Sequence, residues 1–513
     1  MDRQRSGGQW WLLAVLCLAT LVVSLDITIL NVALPTISES LHATTAELQW
    51  IVDSYSLAFA GAMLPAGLFG DRYGRKRVLL GGLGIFAVAS VWSALADSTG
   101  ALIAARTLMG AGAAIVMPLT LAFVASTFSA ADRPKAIAVI TAAIAGGLPL
   151  GPIVGGFLLE HFYWGSVFWI NVPVVAIAVA AGVVLLRESR NPAAARLDVP
   201  GALLAVGGIV ALIYGFISAP EVGWSSVRTV VLLVGSVVLF AAFVLWERRA
   251  ADKLVDPALF RNARFTWGTM AAVAVSVALF GVLFVVPQFL QAVHGHDALG
   301  TGLRLVPLMG GLLVAGGVAG PVDKLIGTKI TVLIGLLVLA VGLVVLSQVT
   351  ADGGYGPMAT GLTLCGVGIG GAMAPAMDAV TAEVGDEAGA GAAVTNTLRQ
   401  IGGALAVAVL GSVMSAVYSG GLGDALLGLP APAADAARES VMGAAVVADG
   451  MGPQGAPLRA AAGAAFADAM STVMLSCAGV VLLGAALCLL FLPARASGAV
   501  ASLAVADRPV IAG

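Results

Sequence analysis

Fourteen apolar windows of about 20 residues run through this 513-residue chain. Each is long enough to cross a bilayer as a helix. They fall at 10–34, 48–70, 78–96, 101–128, 137–159, 167–187, 200–218, 229–247, 266–291, 300–322, 330–350, 357–380, 394–418 and 467–493. Charged residues make up only 11% of the chain, against about 25% in soluble domains. Apolar residues make up 59%. Such a chain lacks the polar surface a soluble fold needs, so the expected class is an all-α polytopic membrane protein with 14 transmembrane helices. Arg3 and Arg5 precede the first window as in a secretory leader, but the window lacks a small-residue cleavage site and reads as a retained span.

An even number of spans puts both termini on one side, and the basic residues choose that side. With the termini cytoplasmic, 21 of the 26 Lys and Arg fall in inner segments and four in outer ones. Arg106 alone lies well inside a span. Both termini are therefore expected on the cytoplasmic side.

An internal echo divides the chain. After the second span comes "GLFGDRYGRKR", and after the tenth the weaker "GPVDKLIGTK". The offset fits two six-helix halves with an extra pair between them, a plan common among secondary transporters. The expected units are 1–199, an inserted pair at 200–247, and 248–513 with a long outer segment at 419–466. In that segment "DAARESVMGAAVVA" reads equally as a short amphipathic helix or as low-complexity loop.

The chemistry concentrates in one layer. Asp26 in span 1, Asp53 in span 2 and Arg106 in span 4 all lie about 7–12 Å below the outer helix ends at 1.5 Å per residue. A charge at the centre of a membrane helix costs at least about 2.5–3.5 kcal/mol, so such groups pair or face a wet cavity. Arg106 keeps its charge at any relevant pH. An acid beside it ionises readily, while a second acid holds its proton more firmly. Asp26, Arg106 and Asp53 thus form a candidate proton-coupling set; the plainer alternative is a static ion pair that fixes packing. Trp50, Tyr55 and Phe59 add aromatic surface beside Asp53, making Asp53, Trp50, Tyr55 and Phe59 the candidate substrate-binding group.

Two glycine-bearing stretches stand out. In "GLFGDRYGRKR", Gly67 and Gly74 permit close packing and a sharp turn, and Asp71 is placed to cap the next helix. Arg72, Arg75 and Lys76 hold orientation. In "GGLPLGPIVGG", Gly147, Gly151 and Gly155 are four apart and share one helix face suited to close approach. Pro149 and Pro152 favour a bend there. No phosphate-binding GxxxxGK[ST] loop occurs, so ATP hydrolysis within this chain is not expected. His294 and His296 are a weak metal set, and the four cysteines have no metal-site spacing. No cofactor, no metal and no nucleic-acid partner are expected, and no catalytic constellation marks an enzyme.

These stretches together resemble the fourteen-helix drug/proton antiporters of the major facilitator superfamily. The family's LDxTIVNVALPxI matches Leu25 to Ile37, with Leu30 where the family has Val. Its loop motif GxxxDRxGR[RK] matches Gly67, Asp71, Arg72, Gly74, Arg75 and Lys76. "RTLMGAGAAIVMP" from Arg106 matches the helix 4 motif. The antiporter motif GxxxGPxxGG matches Gly147, Gly151, Pro152, Gly155 and Gly156. "FWINVP" (168–173) and "NTLRQIGGALAVAVLGS" (396–412) are similar to further family signatures. "LQWIVDSYSLAFAG" (48–61) and the long outer stretch before the last helix look most like the quaternary-ammonium-compound exporters of this family, whose acids in helices 1 and 2 match Asp26 and Asp53. Their further acids in helices 10 and 13 have no counterpart here. The resemblance implies a monomer in the lipid bilayer that expels lipophilic, chiefly cationic drugs, dyes or antibiotics in exchange for protons, by alternating access. A narrow antibiotic self-resistance exporter is the alternative. A nutrient symporter fits less well, because the layer lacks a dense Asn/Gln/Thr lining.

Overall fold

The computed structural model describes residues 2–41, 43, 45–128, 132–190, 198–250, 257–382 and 388–493. Among the described residues the chain is helical, with no strand. The first half comprises α1 (Asp2–Leu41), α2 (Thr45–Tyr73), α3 (Arg75–Ala94), α4 (Thr99–Thr127), α5 (Arg133–His161) and α6 (Asn171–Leu185). Then come α7 (Val199–Val222) and α8 (Val227–Glu247). The remainder comprises α9 (Ala263–Ala292), α10 (Val306–Ile326), α11 (Thr328–Leu346), α12 (Tyr355–Ala382), α13 (Ala388–Gly421) and α14 (Ala456–Phe491). The apolar windows fall mainly on these helices; those at 167–187 and 300–322 each begin in a separate short helix, Ser166–Trp169 and Ala298–Arg304.

Twelve helical segments among the described residues are long and apolar enough to cross a membrane. Helices α2 and α5 are not among those twelve, although each is 29 residues long. The helices begin where side chains can hold their first amides: Ser98 accepts from Ala101, Asp198 from Gly201, Ser226 from Thr229 and Asn262 from Arg264.

Two large apolar cores form. One draws on residues from Leu12 to Leu186, the other on residues from Ala271 to Leu492. In the first, α1 packs on α5 and α6, and α4 on α2 and α3. In the second, α12 packs on α10 and α11, and α9, α13 and α14 pack mutually. Helix α7 packs on α8 and also lies against α2 and α13. A small third cluster seals that junction: Leu57 of α2, Ile209 and Ile213 of α7, Ala404 and Ala408 of α13.

The 419–466 segment folds into two short helices, Ala431–Glu439 and Val441–Gly450. The break falls inside "DAARESVMGAAVVA", at Ser440. Its backbone is extended at φ −159°, and its hydroxyl accepts from Gly443 N at 3.0 Å, starting the second helix. Tyr418 of α13 anchors the first of these helices by donating to Ala437 O at 3.0 Å.

Candidate functional site

Helix α5 sets the position of Asp26. A Cβ added at Gly147 would lie 2.8 Å from Ser24 Cβ, one at Gly151 2.8 Å from Ile29 N, and one at Gly155 2.7 Å from Ile29 Cγ1. The glycine face therefore rests directly on the turn of α1 that carries Asp26. Ser24 ties the contact by donating to Ile144 O at 2.6 Å. Gly156 and Pro152 are buried on the same helix, which is continuous through Pro149 and Pro152.

Asp26 and Arg106 meet. Arg106 Nη1 donates to Asp26 Oδ2 at 2.5 Å, with the side chains 1% and 0% exposed. Arg106 Nε reaches Ile51 O at 3.3 Å, and its guanidinium lies 4.3 Å from the Tyr55 ring centroid and 5.9 Å from that of Phe168. The second carboxylate oxygen of Asp26 accepts from Asn171 Nδ2 at 2.9 Å. Asn171 also donates to Ser90 Oγ at 3.3 Å. Four helices thus converge on one carboxylate. Burying two charges is costly, and this geometry offsets the cost only because both oxygens are hydrogen-bonded and the cation has an aromatic face beneath it.

Asp53 stands apart from this pair. It is fully buried, yet neither carboxylate oxygen has a hydrogen-bond partner among the described residues. Its neighbours three and four residues away, Trp50 and Leu57, belong to the junction with α7 and α13. Trp50 packs edge-on against Tyr214 of α7, with ring centroids 5.1 Å apart. Tyr55 points the other way, towards Arg106, with Phe59 stacked at 6.1 Å. The aromatic group expected from sequence is therefore split: Trp50 lies on the α7 face, Tyr55 and Phe59 on the Arg106 face.

A cavity of about 20 Å³ lies between the halves, walled by Asn31, Tyr55 and Arg106 on one side and Phe280, Phe284 and Val407 on the other. It has room for a water molecule, whereas a drug-sized ligand needs about 300–1,000 Å³. The halves approach closely away from the basic loop. There a Cβ on Gly302 would come 2.7 Å from Pro152 O, and one on Gly411 2.6 Å from Gln49 Nε2.

At the basic loop, Gly74 adopts φ +112° between α2 and α3, a conformation that favours glycine. Gly67 faces Pro118 of α4. The N-cap position of α3 is Gly74, not Asp71, and the carboxylate serving the first amides is Glu188: Lys76 N donates to its Oε1 at 3.1 Å and Arg77 N to its Oε2 at 3.3 Å. The Asp71 side chain lies outside the described residues. Arg75 Nη1 reaches Ala122 O at 3.4 Å, Lys76 Nζ reaches Val183 O at 2.7 Å, and Arg72 lies over the Tyr73 ring. Sequence reasoning missed Glu188, Asn171 and Ser90; an amide in the otherwise apolar "FWINVP" stretch was the available signal. Arg399 lies near the start of a candidate span and donates to Ser276 Oγ and Asn396 Oδ1 at 3.1 and 3.0 Å. His294 and His296 sit with ring centroids 5.9 Å apart, and no group of three metal-ligating side chains occurs among the described residues. Burial, then Arg304 and His294, hold the His296 imidazole below its ordinary pKa.

Comparison with known proteins agrees with this architecture. The chain is 35% identical to the tetracenomycin C resistance and export protein of Streptomyces glaucescens, over 80% of this chain and 76% of that one. It is 34% identical to the methyl viologen resistance protein SmvA of Salmonella typhimurium, over 93% and 96% of the two chains. In three dimensions it resembles an inward-facing bacterial homologue of the human lysosomal transporter Spinster, with TM-score 0.66 at 17% identity, covering 97% of this chain and 100% of the other. The Major Facilitator Superfamily model matches residues 16–407. By that match and by its relatives, this chain belongs to the Major Facilitator Superfamily.

Proposed function

We propose that this protein expels lipophilic, chiefly cationic drugs or antibiotics across the bacterial cytoplasmic membrane in exchange for protons. The observation that carries the reading is the buried Asp26–Arg106 pair, whose arginine lines a cavity between two separately cored halves. A carboxylate that can trade a buried arginine for a proton is the element an exchange cycle needs. On this reading α2 and α5 also cross the bilayer, giving fourteen spans in units 1–199, 200–247 and 248–513, with both termini cytoplasmic. The protein works as a monomer.

Asp26 carries the proton and Arg106 competes for its charge. Tyr55 and Phe59 offer the drug an aromatic wall once the cavity opens. Asp53 supplies a second negative charge to cationic drugs. The glycine face of α5 lets α1 sit close enough to transmit the change at Asp26. The loop motif from Gly67 to Lys76 controls switching between conformations.

Relatives support drug export: they include the multidrug efflux pump LfrA of Mycolicibacterium smegmatis and the puromycin resistance protein of Streptomyces alboniger. The latter, like the tetracenomycin C protein, is named for a single antibiotic, and that observation favours a second reading as a narrow exporter. Uptake of ethidium, puromycin and tetracenomycin C into inverted membrane vesicles, with and without an uncoupler, tests both. Uncoupler-sensitive uptake of several compounds supports the first reading, and of one antibiotic alone the second. Uptake indifferent to the uncoupler refutes proton exchange.

A further inference from the structure

Asn171 carries a neutral amide in a fully buried position of an apolar helix. Its nitrogen makes two contacts, with Asp26 Oδ1 at 2.9 Å and Ser90 Oγ at 3.3 Å. Its oxygen has no partner among the described residues. The Ser90 hydroxyl can donate or accept and so fits either end of the amide; among the described residues the carboxylate is the partner that selects its orientation. Turned over, it would set its oxygen against an ionised carboxylate, two acceptors in contact. The amide orientation is therefore tied to the charge on Asp26.

We infer that Asn171 is a positioning residue for proton exchange: its N–H steadies the ionised form of Asp26, and Ser90 steadies Asn171. The inference rests on the reading of Asp26 as the proton carrier. The groups around Asp26 come from both halves. Arg106 of α4 is the charged one, and Tyr55 of α2 lies beneath that guanidinium. Helix α3 contributes Ser90, α6 contributes Asn171, and α5 contributes its glycine face. From the other half, Phe280 and Phe284 of α9 close the cavity. Among the described residues, Arg106 and Asn171 are thus the two donors to this carboxylate, one to each oxygen. A donor to a charged group favours that charge, so its loss makes the proton harder to remove.

The test uses the full-length protein in detergent, with infrared titration of the carbonyl stretch of protonated carboxyl groups. The Asp26 band is identified by its loss in Asp26→Asn. In Asn171→Leu the midpoint of that band is expected to rise by about one pH unit, the size of a charge-assisted hydrogen bond. Ser90→Ala, a smaller change, is expected to raise it by a few tenths of a unit and carries the test if Asn171→Leu does not fold. An unmoved or lowered midpoint in the folded variants overturns the role of Asn171. If Asp26→Asn removes no titrating band, the failure belongs instead to Asp26 as proton carrier. A merely structural role for Asn171 would lower thermal stability and leave the midpoint where it was.

Discussion

Replacing Arg106 by Leu leaves the Asp26 carboxylate buried, with Asn171 as its remaining donor among the described residues. Breaking a buried pair from one side costs about 3–5 kcal/mol, because the surviving charge is uncompensated. The bond to Ile51 O and the contact with Tyr55 are lost as well. Asp26→Asn keeps the shape and strands the guanidinium instead, at a similar cost. The double variant Asp26→Asn/Arg106→Leu strands neither. Its destabilisation should fall short of the sum of the two single changes by about 2 kcal/mol, within the range for groups in contact. Reversible unfolding by SDS in mixed micelles, followed by tryptophan fluorescence, gives all three values. Additivity within about 0.5 kcal/mol would show that the two side chains do not act on each other and would refute the pairing.

Three further outcomes follow from the same geometry. Asp53→Asn should raise the half-saturation concentration for monocationic dyes several-fold and leave neutral drugs and proton coupling intact; equal effects on both drug classes, measured in vesicles, would remove Asp53 from cation recognition. Gly151→Ala places a Cβ 2.8 Å from Ile29 N and should cost about 1–3 kcal/mol as an overpacked contact, with transport falling at least tenfold. The control Gly84→Ala meets nothing within 4 Å and should stay within about 0.5 kcal/mol. Asp71→Asn should slow transport of all substrates by similar factors; loss of one substrate with another spared would contradict a role in switching.

The helices were legible because lipid demands long apolar windows, and twelve helical segments among the described residues meet that demand. The Asp26–Arg106 contact was legible for a related reason: distance along a helix gives depth, and charges at one depth in an apolar chain seek each other. Depth says nothing about azimuth. Asp53 lies near the same level yet has no hydrogen-bond partner among the described residues, while Trp50 and Leu57 on its helix turn towards α7 and α13, a direction set by packing between helices far apart in sequence. Asn171 escaped notice because a neutral amide does not stand out as a charge does. Glu188 escaped because acids near loops are ordinary, and only the fold brings it 112 residues back to the first turn of α3. The break at Ser440 shows how a local side-chain cap interrupts a pattern that otherwise reads as one helix.

Proton exchange at Asp26 is most directly tested in proteoliposomes loaded and diluted to impose a pH gradient, with ethidium accumulation as the readout. Wild-type protein should concentrate the dye against its gradient when protons can flow out in exchange. Asp26→Asn, inserted to the same level, should exchange dye for dye across the membrane and show no accumulation driven by pH. Accumulation by Asp26→Asn equal to wild type, still abolished by an uncoupler, would contradict the account and move the proton to another group.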